Sequence, residues 1–158
     1  MKTPVSWHKI IANYNSPNWK KSWLQISNSV LPYFLIWVLI GLFGNLSPLV
    51  PFILGIIAAG FMSRSFIIFH DCAHGSFFKS SKMNKIVGSF LSVITFTPFY
   101  KWRYEHLTHH STVGNLDERG VGDIDTLTVA EYKKLTPFKK FTYRIYRHPI
   151  FLFFIALF

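Results

Sequence analysis

Five histidines of this chain fall in two tight groups, His70-Asp71-Cys72-Ala73-His74 and His106-Leu107-Thr108-His109-His110. On a helix, residues three or four apart are neighbours, with Cβ atoms about 5–6 Å apart. His70 and His74 therefore present two imidazoles on one face. His106 can pair with His109 and also with His110, so the second group offers three. Neutral imidazole carries an exposed nitrogen lone pair and suits Zn, Cu, Fe and Ni. Burying five such rings without partners would cost roughly a few kcal/mol each, so metal ligation by His70, His74, His106, His109 and His110 explains them better than packing. The blander alternative is helix-end histidines that cap carbonyls or sit among headgroups. Neither group is decisive alone. His-x-x-x-His is half of a zinc-protease motif, but that motif wants Glu directly after the first His as general base, and Asp71 stands there, one methylene shorter. A catalytic zinc takes three protein ligands and an open position. Five histidines exceed that need and fall short of two fully ligated ions, which implies further ligands downstream.

Other candidates read more plainly. His8 belongs to a polar N-terminal tail and reads as surface; His148, before Pro149 in a basic stretch, reads as interfacial. Cys72 lies between two ligands but turns away from them on a helix, so packing is its expected role. As the single cysteine it excludes an internal disulfide and a Cys-rich zinc module. Asp71 and Glu105 adjoin ligands in sequence without sharing their face. They read as surface anchors or partners to another helix, with the alternative of holding an imidazole tautomer by accepting its other N–H. Trp102, Tyr104, Phe96 and Phe99 are either lining for an apolar chain or ordinary interfacial aromatics.

The elements that must carry these groups follow from charge and hydropathy. Ser22 to Ser63 is a tract of 42 residues without a charged side chain. A bilayer span takes about 20 apolar residues at about 1.5 Å of rise each, so the tract fits two spans and a turn. Gly44-Asn45-Leu46-Ser47-Pro48 is the turn, being rich in residues that stop helices. The fold expected is all-α integral membrane: a tail over 1–29, a transmembrane hairpin over 30–69 (spans about 30–47 and 49–69), and a helical cap over 70–149. A buried hairpin in a soluble protein is disfavoured because the tract lacks a polar face. Lys2, Lys9, Lys20 and Lys21 precede the hairpin, twelve Lys and Arg follow Cys72, and the turn is uncharged. Cationic flanks stay cytoplasmic, so both hairpin ends face the cytosol, with Arg64 expected to snorkel to that interface. No removable signal peptide is expected, since a long polar tail comes first; the first span serves as its own insertion signal. The net charge of +10 is better matched by anionic headgroups than by nucleic acid, because the basic residues flank apolar segments instead of forming one run.

All seven acidic residues lie beyond His70, which marks an aqueous-facing cap. Within it, 86–100 is charge-free but short for a span, and fits an interfacial or re-entrant segment. Histidines on either side of it can share a metal only if the segment does not cross. Gly114 to Leu127 reads as an extended polar loop, and helix resumes over Val129 to Arg147. Residues 150–158 are nine apolar residues, read as the start of a truncated third span.

His-Asp-Cys-Ala-His-Gly-Ser-Phe-Phe at 70–78 resembles the first histidine box of the membrane fatty acid desaturases, and Trp102 to His110 resembles their second. The segment from Gly114 to Tyr132 is most similar to the acyl-lipid, methyl-end branch. The resemblance implies a histidine-ligated centre of two non-haem irons that desaturates fatty acyl chains with O2 at the cytoplasmic membrane surface. It also implies an electron donor such as ferredoxin or cytochrome b5. The family's third His-x-x-His-His box is missing from these residues, so the chain alone is expected to be inactive. Hydroxylases and ketolases of the same superfamily, and a non-catalytic membrane remnant, are the alternatives.

Overall fold

A computed structural model of the chain describes residue 11, residues 16–120 and residues 125–151. Among the described residues every regular element is helical. The chain divides into two units, residues 1–110 and residues 111–158.

The first unit opens with α1, Trp19–Phe43, and α2, Leu49–His74, joined by a 3₁₀ turn at Gly44–Leu46. At 25 and 26 residues each helix is about 38 Å long, more than a bilayer's hydrocarbon core of about 30 Å. The reversal occupies the segment that its glycine, asparagine, serine and proline single out. Helix begins at Trp19, well before Val30, because helical backbone runs past the apolar limit of a span; Asn18 caps it by accepting from the Lys21 N–H at 3.1 Å.

The two helices meet along narrow stripes. Ser22, Ile26, Ser29, Val30, Tyr33 and Ile36 are buried on α1, and Ala58, Ser65, Ile68, Phe69, Cys72 and Ala73 on α2. Small residues among them let the backbones approach closely. The remaining faces are apolar and open: Leu24, Leu31, Phe52 and Ile56 are 61–66 % exposed. Helices apolar all round belong in hydrocarbon or inside a larger assembly. Arg64 does not reach along its own helix. It crosses the hairpin, Nη2 donating to Asn28 Oδ1 at 3.0 Å and Nε to Ser29 Oγ at 3.3 Å, partners that the sequence of α2 alone does not reveal.

Beyond His74, Gly75 adopts the left-handed conformation at φ +74° and ends α2. Phe77 and Phe78 then turn inward and are buried. The buried Asn84 side chain accepts from the Phe78 N–H and donates to its carbonyl, at 2.9 and 2.8 Å. Ser22 Oγ donates to the Phe77 carbonyl at 2.8 Å, tying in the start of α1. Helix α3, Ser81–Ile94, packs on α2, and α4, Phe99–Thr112, follows. Segment 86–100 is therefore not one piece: it breaks at Thr95–Pro98, where Phe96 takes φ +52°. Phe90, Val93, Phe96 and Tyr100 leave apolar surface exposed along it.

In the second unit, α5 (Val129–Lys134) and α6 (Pro137–Tyr146) replace the single helix expected over Val129 to Arg147. Pro137 is the cause: it forces Thr136 into extended backbone at ψ 158°, and Thr136 then caps α6. Glu131 and Thr128 form a reciprocal capping box at the start of α5, and Arg119 pairs with Glu131 at 2.9 Å. Residues 114–120 and 125–127 of the expected polar loop carry no helix or strand. Its centre (121–124), His8 in the N-terminal tail, and 152–158 of the expected third span lie outside the described residues.

Candidate metal centre

Helices α2 and α4 bring the two histidine groups together. His70 and His74 occupy the last turn and a half of α2; His106 and His110 sit one turn apart on α4. One ring nitrogen from each of the four lies within 4.8 Å of all the others. His106 is central: its Nε2 is 3.0 Å from His74 Nε2 and 3.0 Å from His110 Nε2. Its ring centroid lies 4.7 Å from that of His70.

This packing has a chemical consequence. A neutral ring nitrogen carries one lone pair or one N–H, so His106 Nε2 has one well-directed hydrogen bond to give and two nitrogens facing it. A cation accepts every lone pair at once. Two nitrogens bound to one ion at about 2.1 Å each stand roughly 3.0–3.4 Å apart, and the observed 3.0 Å spacings fall in that range. The four imidazoles form a group that could hold a metal ion.

Protonation favours the same use. Burial, then the neighbouring His70, His110, His74 and His109 rings, push the His106 imidazole down to about 4, so it is neutral near pH 7. His70 Nδ1 lies 3.2 Å from Asp71 Oδ1. In the tautomer whose Nδ1–H donates to this carboxylate, Nε2 keeps its lone pair. This contact is what the tautomer-holding alternative for Asp71 requires. Glu105 meets the surface-anchor alternative: it faces Lys101 at 3.9 Å on the exposed side of α4.

His109 is placed apart. Its ring centroid is 6.4 Å from that of His106 and 5.8 Å from that of His110, and its Nδ1 is shielded from solvent. Four residues overshoot one helical turn by about 40°, whereas three fall short by about 60°; His110 therefore joins the group and His109 flanks it. His148 lies in the second unit, and Cys72 is buried in the helix packing at 2 % exposure.

Two residues fix α4 against α2. Arg103 Nε donates to the Ala73 carbonyl at 2.8 Å, next to His74. The Trp102 indole stacks on the His106 ring at 4.2 Å and 16°, and its other contacts are Phe66, Phe69 and His70. Trp102 stands four residues before His106, a spacing that signals the stack; nothing in the sequence marks Arg103. Gly88 completes the docking. A Cβ there would lie 2.1 Å from the Phe99 ring, so only glycine lets α3 receive the first residue of α4.

Comparison with known proteins supplies the family. The sequence model described as fatty acid desaturase matches residues 46–158. The chain is similar to a fatty acid desaturase of Bacillus subtilis (strain 168), 44% identical over 148 residues, which is 94% of this chain and 42% of that protein. It is also similar to an endoplasmic-reticulum omega-3 fatty acid desaturase of Vigna radiata, 37% identical over 55% of this chain and 24% of that one. A ferredoxin-type sn-1 acyl-lipid omega-3 desaturase of Synechocystis is 35% identical over 56% of this chain and 25% of its own. The chain thus spans less than half the length of these relatives. No solved structure matches. With 113 of its 158 residues inside the family match, both histidine groups among them, the chain belongs to the fatty acid desaturase family.

Proposed function

We propose that this chain carries part of the active centre of a membrane-embedded enzyme that desaturates fatty acyl chains. The observation that supports it most is the convergence of four imidazole nitrogens within 4.8 Å beside the end of an apolar helical hairpin. His70, His74, His106 and His110 would hold one non-haem iron. His109, set apart from that group, would serve a second, together with donors that the described residues do not supply. Such a centre, when bound, supplies the O2-dependent removal of two hydrogens from adjacent methylenes, chemistry beyond any side-chain acid or base.

The work of this chain's residues is positional. Asp71 holds the His70 tautomer, Trp102 covers one face of His106, and Arg103 and Gly88 lock α4 in place. The hairpin over 30–69 would span the bilayer with its turn outside. Residues 70–149 would form a cytoplasmic cap, with 86–100 lying along the interface and the tail over 1–29 on the same side. Residues 150–158 would begin a further span. A lipid substrate then approaches from within the membrane, and a soluble donor such as ferredoxin or cytochrome b5 docks from the cytosol. The name of the Synechocystis relative, which includes ferredoxin, favours the first. Lys133, Lys134, Lys139, Lys140, Arg144 and Arg147 offer a basic surface for an acidic donor.

The test is the fatty acid profile, by gas chromatography–mass spectrometry, of a host expressing the gene in full beside its His106→Ala version. New double bonds that vanish in the variant are the expected result. Hydroxylated products would move the protein to the sister class, and an unchanged profile with protein present in the membrane would overturn the proposal.

A further inference from the structure

Away from the histidines, a cavity of about 570 Å³ opens between the first turn of α1 and the loop after α2, with Trp19, Lys20, Phe78 and Lys79 on its wall. The Ser22–Phe77 hydrogen bond holds these two segments together, and the Asn84 pair fixes the loop from below. The frame is thus built, not a chance gap between side chains.

Its chemistry is two-sided. Lys20 and Lys79 bring two ammonium groups, and no acidic residue occurs before Asp71 in the sequence. Among the described residues neither lysine takes part in an ion pair. Lys21 and Lys82 lie next along the chain on either side. Beside the charge are two partly exposed indoles, Trp19 and Trp23, seated on the buried Phe78 ring at 5.2 and 5.9 Å. Trp23 and Leu24 carry exposed apolar surface onward along α1. An occupant must therefore join an anionic head to an apolar body. The end of a hairpin long enough to cross a bilayer, marked by indoles of the kind that settle at headgroup level, is where such molecules are found.

We propose that this cavity binds the phosphate headgroup of an anionic phospholipid, with Lys20 and Lys79 on the phosphate and the acyl chains running along Trp23 and Leu24. Lysine serves phosphate as a point charge. A bound lipid would brace the Gly75–Ser80 loop, which leaves α2 directly after His74. The proposal goes beyond the desaturation reading and stands whatever the histidines catalyse.

Native mass spectrometry of the detergent-purified chain tests it, with phosphatidylglycerol, phosphatidylcholine and inorganic phosphate as probes. Phosphatidylglycerol is expected to be retained preferentially. Lys20→Ala with Lys79→Ala should weaken retention about fivefold per lysine, near thirtyfold together. Lys20→Arg with Lys79→Arg should restore most of it, which separates lost charge from lost fold. Lys133→Ala with Lys134→Ala, the same charge change elsewhere, should leave retention unaltered. Equal loss in that control pair would overturn the site, as would equal retention of phosphatidylcholine. Displacement of the lipid by an equal concentration of inorganic phosphate would assign the lysines to a soluble anion instead.

Discussion

At the residue scale, the centre depends on which lone pairs face inward, and that is settled by neighbours more than by the histidines themselves. Asp71, 3.2 Å from His70 Nδ1, is placed to hold a tautomer. Replacing it with alanine should lower the affinity for Fe(II), titrated anaerobically, by about 10–100-fold; an unchanged isotherm would return Asp71 to the surface. His106 gives a second test. Its folded value of about 4 lies below the ordinary 6.5, so the unfolded chain takes up this proton first. The metal-free protein should thus hold its full His106 contribution above pH 6.5 and lose it progressively as pH falls toward 4. Thermal melting of wild type against His106→Gln across that window reads the difference; parallel pH profiles would mean that the ring is not held neutral. The convergence of His70, His74, His106 and His110 was legible because metal chemistry needs that residue type at helical spacing. Choosing His110 over His109 was not, since three- and four-residue spacings both pass for one turn until the partner helix fixes the angle.

At the level of elements, the hairpin was readable and the docking of α3 and α4 was not. A tract of 42 uncharged residues permits few arrangements, and its turn announces itself through Gly44, Asn45, Ser47 and Pro48. The break of 86–100 at Thr95–Pro98 and the contact of Gly88 with Phe99 arise from packing between elements that no single-segment pattern encodes. Gly88→Ala should destabilise the protein by about 1–3 kcal/mol, the usual cost of overpacking, read as a lowered melting temperature in detergent. Adding Phe99→Leu should recover part of that loss, and a harmless Gly88→Ala would mean that α4 does not rest on α3 there. In the second unit, hydrogen bonds from Arg119 and from Thr128 hold the Glu131 carboxyl down at about 2. Its ordinary value is 4.5, so the contribution is complete above that pH and is lost as pH falls through 2. Helicity followed by circular dichroism should drop in that window for the wild type and show a smaller acid transition in Glu131→Gln. Pro137 encodes the division of Val129 to Arg147, because proline suits the first turn of a helix and not its interior.

For the whole molecule, the proposed chemistry makes a demand on topology. His74 Nε2 and His106 Nε2 are 3.0 Å apart, yet the apolar run from Ile86 to Tyr100 separates them in sequence. Were that run a crossing, the two groups would lie on opposite faces of a bilayer about 30 Å thick and share nothing. The break at Thr95–Pro98 and the 14-residue length of α3, about 21 Å at 1.5 Å per residue, argue for a segment lying along the interface. By the rule that cationic flanks stay inside, the uncharged turn against cationic ends would put those ends in the cytosol. Native Cys72, 2 % exposed, should stay silent toward a maleimide, so single cysteines can be added one at a time. Ser80→Cys and Lys101→Cys, on either side of the run, should react only after the membrane is permeabilised, and Asn45→Cys in the turn should react in intact cells. Opposite sidedness of positions 80 and 101 would break the shared centre outright. Joint labelling of both from outside would keep the centre and invert the protein, leaving a cytosolic electron donor no face on which to dock.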